Sequence, residues 1–498
     1  MTNKNDKNLP VDSSALQRAL EEVEQLLGRD CVTRYRDGCS ADGVARRNVS
    51  LFRLREVHAV ISPNSAANVQ EIVKIFNRHR PGVGLHAIST GRNWGLGSAE
   101  PATDNVVTID LRRLNASRQI ECGGGWAVIE PGVTQSDLSQ ALAGTQRMVN
   151  VTASSGHTSI VGNALDRGVG LRRQRTEDLI GLEVVLPDGE IAHVGWWPNA
   201  SKDTAVNPYG HGPSLLHLFT QSNLGIVTAA VVRLLPRPET QRVVRLNFAR
   251  ENLRDSVNTL RRWVEQDLVS GVLKIYDVVS TASYGGTPGS HLVLICVSGT
   301  TRRVEAISQV LREEADESGF FSEITYSDQV PAAANDFVLQ VVEHAYAGSP
   351  AHNERMLRAA TGVDAHDVDS KGGGWIFFLA FVPFNGEAIA HALDLIDSVH
   401  RETGVQAGTT VNALSSDVID LVVSLKFPAN TEASAGAQHA LDLIYELFCE
   451  AGFYPYRLDI EHAHWREKLA ADAFTVQLTR QIKKLLDPNS VMAPGRYA

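Results

Sequence analysis

The sequence predicts an α+β protein of two domains, the second built on a large antiparallel sheet. Its 498 residues are too many for one ordinary core. Up to about residue 240, short apolar runs alternate with Gly-rich loops; beyond it, longer strands and helices alternate. Apolar residues make up 43% of the chain, the proportion of a soluble globular protein.

The elements follow from local patterns. Leu16, Leu20, Val23 and Leu27 recur at helical spacing and predict a helix from Ser14 to Leu27. Ala59 to Ser62 reads as a strand, and Pro63-Asn64-Ser65 opens a helix whose Val69, Ile72, Val73 and Phe76 share one side. Leu85 to Ser89, Val106 to Leu111 and Ala127 to Glu130 are apolar runs cut by Gly, Pro or Asn, as buried strands are. Leu182 to Leu186 and Glu190 to Val194 flank Pro187-Asp188-Gly189, which predicts a hairpin because Gly189 can take positive φ. Gly225 to Leu235 adds a long strand.

In the second half, strands are expected at Val243 to Phe248, Val272 to Val278, His291 to Val297, Trp375 to Val382 and Ile419 to Phe427. Helices are expected at Leu253 to Val264, Arg303 to Glu314, Glu387 to Arg401 and Ala435 to Ala451. The end holds Tyr454 to Trp465, then a helix closing near Leu486 and a Pro-Gly tail.

A net charge of -10 without a basic stretch argues against nucleic acid and anionic lipid as partners. No apolar run has the length of a membrane span, and the polar start from Met1 to Ser14 lacks the apolar core of a secretory signal. Five scattered cysteines fit neither a disulfide framework nor a zinc cluster, so a cytoplasmic protein is expected.

Five segments in order carry a resemblance. They are Ile88-Ser-Thr-Gly-Arg-Asn-Trp-Gly-Leu-Gly97, Glu130-Pro-Gly-Val-Thr134, Val161-Gly-Asn-Ala-Leu-Asp-Arg-Gly-Val-Gly170, Phe219-Thr-Gln-Ser-Asn-Leu-Gly-Ile-Val-Thr228 and Leu486-Asp-Pro-Asn-Ser-Val-Met-Ala-Pro-Gly495. Together they resemble the family of vanillyl-alcohol oxidase and para-cresol methylhydroxylase, across nearly the whole chain. A Gly-rich turn lets backbone N–H groups approach a diphosphate unobstructed, and Ser89, Thr90, Gly91, Arg92 and Asn93 are suited to that cradle; plain tight bends also use such turns. The resemblance implies FAD as cofactor, with Pro131, Gly132, Val133, Ser155, Gly162, Asn163, Gly225, Ile226, Val227 and Arg496 along it. It also implies a flavin domain over residues 1–240, a substrate cap over 241–453, and a segment 454–498 returning to the flavin domain.

The departures from the family bear on substrate. Where family members carry a flavin-linking histidine, this chain has Trp375, so dissociable FAD is expected; the indole serves packing or stacks on substrate. Tyr456-Arg457 matches the pair that holds a phenolate in this family, two donors of which one is permanently charged. An Arg paired with an acid beside a buried Tyr is the competing reading. The third member of the phenolate site, a tyrosine, is replaced by Leu96. The family's acid beside the flavin corresponds to Ser155, and nearby His157 is a candidate base because its ordinary pKa lies close to neutrality. Arg172, Arg173 and Arg175 read as a solvated basic loop. In Glu461-His462-Ala463-His464 the spacing does not complete a metal site, so no metal is expected, and Asp459, Glu461 and His462 stand as pocket or proton-transfer candidates near Arg457.

The expected activity is therefore FAD-dependent oxidation, by an oxidase or dehydrogenase, of a small alcohol, amine or ring intermediate, with hydride passing to the flavin and His157, Tyr456 and Arg457 assisting. Oxidation of para-alkylphenols or aromatic alcohols is one alternative; a flavin-binding electron-transfer subunit without turnover is another. The acceptor, oxygen or a redox protein, is not legible in the sequence, and a homodimer is one assembly it allows.

Overall fold

The computed structural model describes residues 10–36, 39–40, 43, 45–198, 206–283, 287–329 and 337–497. Residues 1–9, part of the polar stretch from Met1 to Ser14, lie outside them. Two five-stranded sheets form from the first half. In one, Val57–Ile61, Val106–Asp110 and Gly84–Ile88 run parallel, with Val32–Arg36 and Cys39–Ser40 added antiparallel at an edge. Helices Ser13–Leu27 and Ala66–His79 pack on this sheet through Leu16, Leu20, Val69, Ile72 and Phe76, the apolar faces that the spacing predicts. The other sheet is antiparallel, in the order Ile191–Gly195, Leu179–Val185, Ile226–Arg233, Trp126–Ile129, Ser117–Glu121. Its first pair is the hairpin expected around Gly189, which takes φ 89°.

The second half supplies an eight-stranded antiparallel sheet: Ser322–Tyr326, Thr240–Ala249, Ser290–Gly299, Lys274–Tyr276, Ala407–Ala413, Val418–Phe427, Gly374–Pro383 and Pro455–Arg457. Alternation gives it two faces. Ile275, Val293, Val411, Leu421, Ala380 and Phe378 point into helices Leu253–Glu265, Thr301–Ser318, Gly386–Thr403 and Thr431–Glu450, a core that includes Trp263, Ile396, Leu441 and Phe448. The opposite face, with Tyr276, Leu292, Leu294, Leu379 and Phe377, packs on Val149, Val151, Leu171, Leu96 and Val169 from the first half. Here a backbone bond from Phe377 N to Gly95 O, 2.9 Å, ties the glycine-rich loop to the sheet.

The tail returns to the first sheet. Leu85 N donates to Val491 O at 2.7 Å and Ala493 N to Leu85 O at 3.0 Å. A Cβ on Gly84 would stand 2.5 Å from Ala493 Cα, so this approach needs glycine. Asp487 secures the turn by accepting from Val491 N and Met492 N at 2.8 and 2.9 Å.

One expectation is corrected. The arginines after Gly170 are structural ties, not a solvated loop. Arg175 is 1% exposed and donates to Asn150 O and Gln135 Oε1, Arg173 pairs with Asp178, and Arg172 spans to Tyr346 O, Ser298 and Gln241. Their run of charge hides partners that only folding brings near. The stretch from Tyr454 to Trp465 is extended only over Pro455–Arg457. Beyond it, Asp459 Oδ1 accepts from the backbone N of Glu461 and His462 and bends the chain. The strand Ala407–Ala413 and helices Phe337–Tyr346 and Asn353–Thr361 were not expected. Among the described residues, no helix is long and apolar enough to cross a membrane.

Candidate functional site

A long cleft runs between the two small sheets, the returning tail and the edge of the large sheet. Ser89, Thr90, Gly91, Arg92 and Asn93 line it together, as do Pro131, Gly162, Asn163, Gly225, Ile226, Val227, Leu96, Arg457 and Arg496. The local sequence explains the shape. Gly91 has φ 68°, and Gly162 meets Ser89 so closely that a Cβ there would lie 2.1 Å from Ser89 Oγ. Ser159 caps the turn, accepting from Gly162 N and donating to Pro131 O. Gly132 and Val133 stand behind the wall. A Cβ on Gly132 would sit 2.4 Å from Arg112 O, and Val133 is fully buried. The cleft suits a polar, anionic, dinucleotide-like ligand: Arg92 Nη1, Asn163 Oδ1 and Asn223 Oδ1, all from wall residues, are buried without hydrogen-bond partners.

At one end of the cleft a carboxylate gathers two cations. Asp166 Oδ2 accepts from Arg457 Nη2 at 2.5 Å and Nε at 3.2 Å and from Arg496 Nη2 at 3.2 Å, while Arg457 Nη2 also donates to Asn93 Oδ1 at 2.8 Å. Burial opposes the Asp166 charge, but Arg457 and Arg496 outweigh it and hold the carboxyl below its ordinary value. Arg457 is thus paired with an acid, as the competing reading had it. With two guanidiniums on one carboxylate, the end of the cleft keeps a net positive charge. Tyr456 stands behind it, packed with Leu96 and Leu379 and stacked on Phe381 at 4.5 Å between ring centroids.

His157 is half-buried beside the cleft, not on its wall; its ring lies 5.3 Å from that of His366. Burial first, and then the Arg92 cation, lower its pKa, so it is neutral at pH 7. Arg92 Nη2 in turn bonds His366 Nδ1 at 3.3 Å. Ser155, fully buried, donates its hydroxyl to Glu354 Oε1 at 2.7 Å, and Gly156 N reaches the same oxygen. A carboxylate from the second half therefore stands beside the position where the family's acid is missing.

Three further candidates lie off the cleft wall. Trp375 donates to Ser424 Oγ at 2.9 Å and packs with Trp94 and Val49. Asp459, 0% exposed, holds His462 and the Tyr445 hydroxyl. Glu461 pairs with buried Arg55. Sequence reasoning missed Asp166, Glu354, His366 and also His86, which lines the cleft and is neutral because burial, then Arg496, push its pKa down to about 4. Asp166 did lie inside a quoted motif, where its charge beside glycines was the available signal.

Residues 57–195 match the family model of an FAD binding domain. The chain is 28% identical to the 1'-carboxy-chondrochloren decarboxylase of Chondromyces crocatus, over 98% of both chains. It is 24% identical to the 4-cresol dehydrogenase [hydroxylating] flavoprotein subunit of Pseudomonas putida, over 100% of this chain and 98% of the relative. In fold it is similar to 4-ethylphenol oxidase from Gulosibacter chungangensis, with a TM-score of 0.87, 21% identity and 98% of each chain covered. A p-cresol methylhydroxylase with bound substrate gives 0.86, 22% identity and coverage of 98% and 97%. With this whole-length likeness, the FAD-domain match and the glycine-lined cleft, the chain is an FAD-dependent oxidoreductase that shares the fold of p-cresol methylhydroxylase and is similar to it along its whole length.

Proposed function

We propose that this enzyme oxidises a small non-phenolic alcohol, amine or ring intermediate, removing a hydride from carbon and a proton from the adjacent O–H or N–H. The observation that carries this reading is the cleft end where Arg457 and Arg496 share Asp166 beside the Ser89–Asn93 cradle. FAD, when bound, supplies the two-electron acceptor. Residues 1–240 and 454–498 hold it, chiefly through Ser89, Thr90, Gly91, Arg92, Asn93, Gly162, Asn163 and Gly225 to Val227, and residues 241–453 cap the substrate. The uncompensated cation of the Arg457–Asp166–Arg496 cluster favours negative charge developing at this end. Tyr456 and neutral His157 are the candidate proton acceptors.

The non-phenolic assignment rests on Leu96, which replaces a phenolate donor with an apolar side chain, and on Arg457 being engaged by Asp166. Anaerobic mixing with panels of alcohols, amines and para-alkylphenols tests it: bleaching of the flavin by the first two and not by phenols supports the reading, and efficient bleaching by phenols replaces it. FAD is held without a covalent bond, since Trp375 is turned to Ser424. Acid precipitation should leave the colour in the supernatant. A coloured pellet would overturn this and direct replacement of His366, the histidine bonded to Arg92. The electron acceptor is oxygen or a redox protein, separated by reoxidation of the reduced flavin in air.

A further inference from the structure

Asp459 and His462, which the chemistry above leaves unused, tie the returning chain to a helix of the second half. The Asp459 carboxylate is fully buried and saturated with donors. Its Oδ1 accepts from the backbone N of Glu461 and His462 at 2.8 and 3.0 Å, and its Oδ2 from the Tyr445 hydroxyl and His462 Nδ1, both at 2.9 Å. The other ring nitrogen, Nε2, lies 3.1 Å from Asp442 Oδ1, and the ring stacks on Tyr445 at 3.7 Å between centroids. Asp442 and Tyr445 belong to the helix Thr431–Glu450. Carboxylate oxygens only accept, so both nitrogens of His462 carry hydrogen and the ring is an imidazolium, 5% exposed. A buried cation of this kind persists only where acids compensate it. The knot stands next to the charge cluster, because Leu458 alone separates Arg457 from Asp459. Leu458 N donates to the Tyr497 hydroxyl and Leu458 O accepts from Arg496 Nη1, each at 3.0 Å. Both guanidiniums on Asp166 therefore hang from the turn that Asp459 and His462 close.

We propose that His462 is a positioning residue for Arg457: its imidazolium, held between Asp459 and Asp442, rivets the turn after Arg457 to the helix Thr431–Glu450 and so keeps Arg457 on Asp166. The inference rests on the oxidation reading above, in which the Arg457–Asp166–Arg496 cluster assists the reaction. The groups facing His462 are Asp459 and His464 on its own segment and Asp442 and Tyr445 on the helix; Lys468 lies over the neighbouring Trp465 ring and Tyr497 stands near Tyr445. Burial opposes the charge on the ring, but Asp459 and then Asp442 outweigh it and raise the His462 pKa above its ordinary 6.5. The rivet is therefore complete below that value and is lost as pH rises through the folded one. The covalent change is one proton passing from Nε2 to water, on the side where Asp442 is 62% exposed. The neutral ring keeps its Nδ1–H on Asp459, and Asp442 loses its donor. The turn then stays tied to the first half through Glu461 and Arg55, and its link to the helix is weakened.

The test follows amide hydrogen exchange of FAD-loaded protein from about pH 6 to 9, corrected for the intrinsic effect of pH, in two peptides, 457–465 around the rivet and 162–170 around Asp166. In the wild type, protection of both peptides should fall roughly tenfold through one shared midpoint above 6.5, the loss of one charge-assisted hydrogen bond. His462→Gln should show the low protection at every pH, with no midpoint. Asp442→Asn alters an exposed side chain and keeps an accepting oxygen but not its charge. It should move the midpoint down by roughly 0.5–1 unit, a three- to tenfold loss of proton affinity in the ring. Flavin absorbance of each variant reports that it is folded and loaded. The limiting rate of flavin bleaching, by any compound of the panel above that reduces it, should fall through the same midpoint in the wild type and lack that limb in His462→Gln. A midpoint confined to 457–465, a midpoint unmoved in Asp442→Asn, or a bleaching rate without the limb overturns the positioning role and leaves the oxidation reading standing. Shared midpoints in both peptides, with no bleaching by any alcohol, amine or phenol, support the positioning of Arg457 and overturn the oxidation reading instead.

Discussion

Replacing Asp166 with Asn tests the charge cluster at the end of the cleft. In the wild type one carboxylate oxygen takes Arg457 at 2.5 and 3.2 Å and Arg496 at 3.2 Å, with Arg457 11% and Asp166 14% exposed at the side chain. Asp166→Asn keeps the shape and one acceptor oxygen but leaves two guanidiniums facing each other, raising the local charge by one. Breaking one partner of a buried pair destabilises by about 3–5 kcal/mol. The retained acceptor points to the lower end, about 3 kcal/mol, roughly a hundredfold in the folding constant at 1.4 kcal/mol per tenfold. Guanidinium unfolding of FAD-free wild type and variant, followed by circular dichroism, measures the difference at pH 7. The pH dependence has a defined sign. Because the folded Asp166 pKa lies below its ordinary 3.8, the wild-type advantage is complete above that value and disappears as pH falls through the lower folded value. A difference below about 1 kcal/mol, the worth of an exposed ion pair, would refute the claim that this cluster is shielded from water.

Gly162→Ala places a methyl 2.1 Å from Ser89 Oγ, so the cradle must open; FAD affinity, read by quenching of flavin fluorescence, should fall roughly five- to a hundredfold, the effect of ~1–3 kcal/mol of overpacking. At Gly95, with φ 78°, a Cβ would meet the Phe377 ring at 2.3 Å, and Gly95→Ala should lower thermal stability by roughly 2 kcal/mol or more from backbone strain plus the clash. His462, stacked on Tyr445, has its pKa raised, Asp459 and Asp442 overcoming the burial that opposes its charge. Its contribution is present below pH 6.5 and lost as pH rises through the folded value, so His462→Gln should remove that slope from a melting-temperature profile. His86 has the opposite sign: folding keeps it neutral, so stability should decline as pH falls from 6.5 toward about 4, and His86→Gln should flatten that limb.

What the sequence determined by itself was local. Gly189 in Pro187-Asp188-Gly189 closes a two-strand turn from backbone preference alone, and Val69, Ile72, Val73 and Phe76 share a helix face because a helix repeats every 3.6 residues. The cradle from Ser89 to Asn93 belongs to this class, since its one glycine, Gly91, takes φ 68°, a demand of the local turn, and its neighbours carry the family resemblance. Only the tertiary structure decided which charges meet. Asp166 finds Arg457 and Arg496 at separations of 291 and 330 residues, and Glu354 reaches Ser155 across 199. The alternation of Lys274 with Ile275 and of Asp420 with Leu421 marks two faces on each strand. Which face meets the cleft, and that Lys274, Asn412 and Asp420 fall in one row, depends on the register of strands far apart in the chain. A one-residue slip would send each of them to the opposite face. Arg172, Arg173 and Arg175 illustrate the same limit. A basic run looks solvated until the backbone oxygens, Gln135 and Asp178 that neutralise it are folded around it. Backbone preference acts over a few residues, whereas Coulomb and hydrogen-bond partners are chosen by proximity in space, which the chain acquires only by folding.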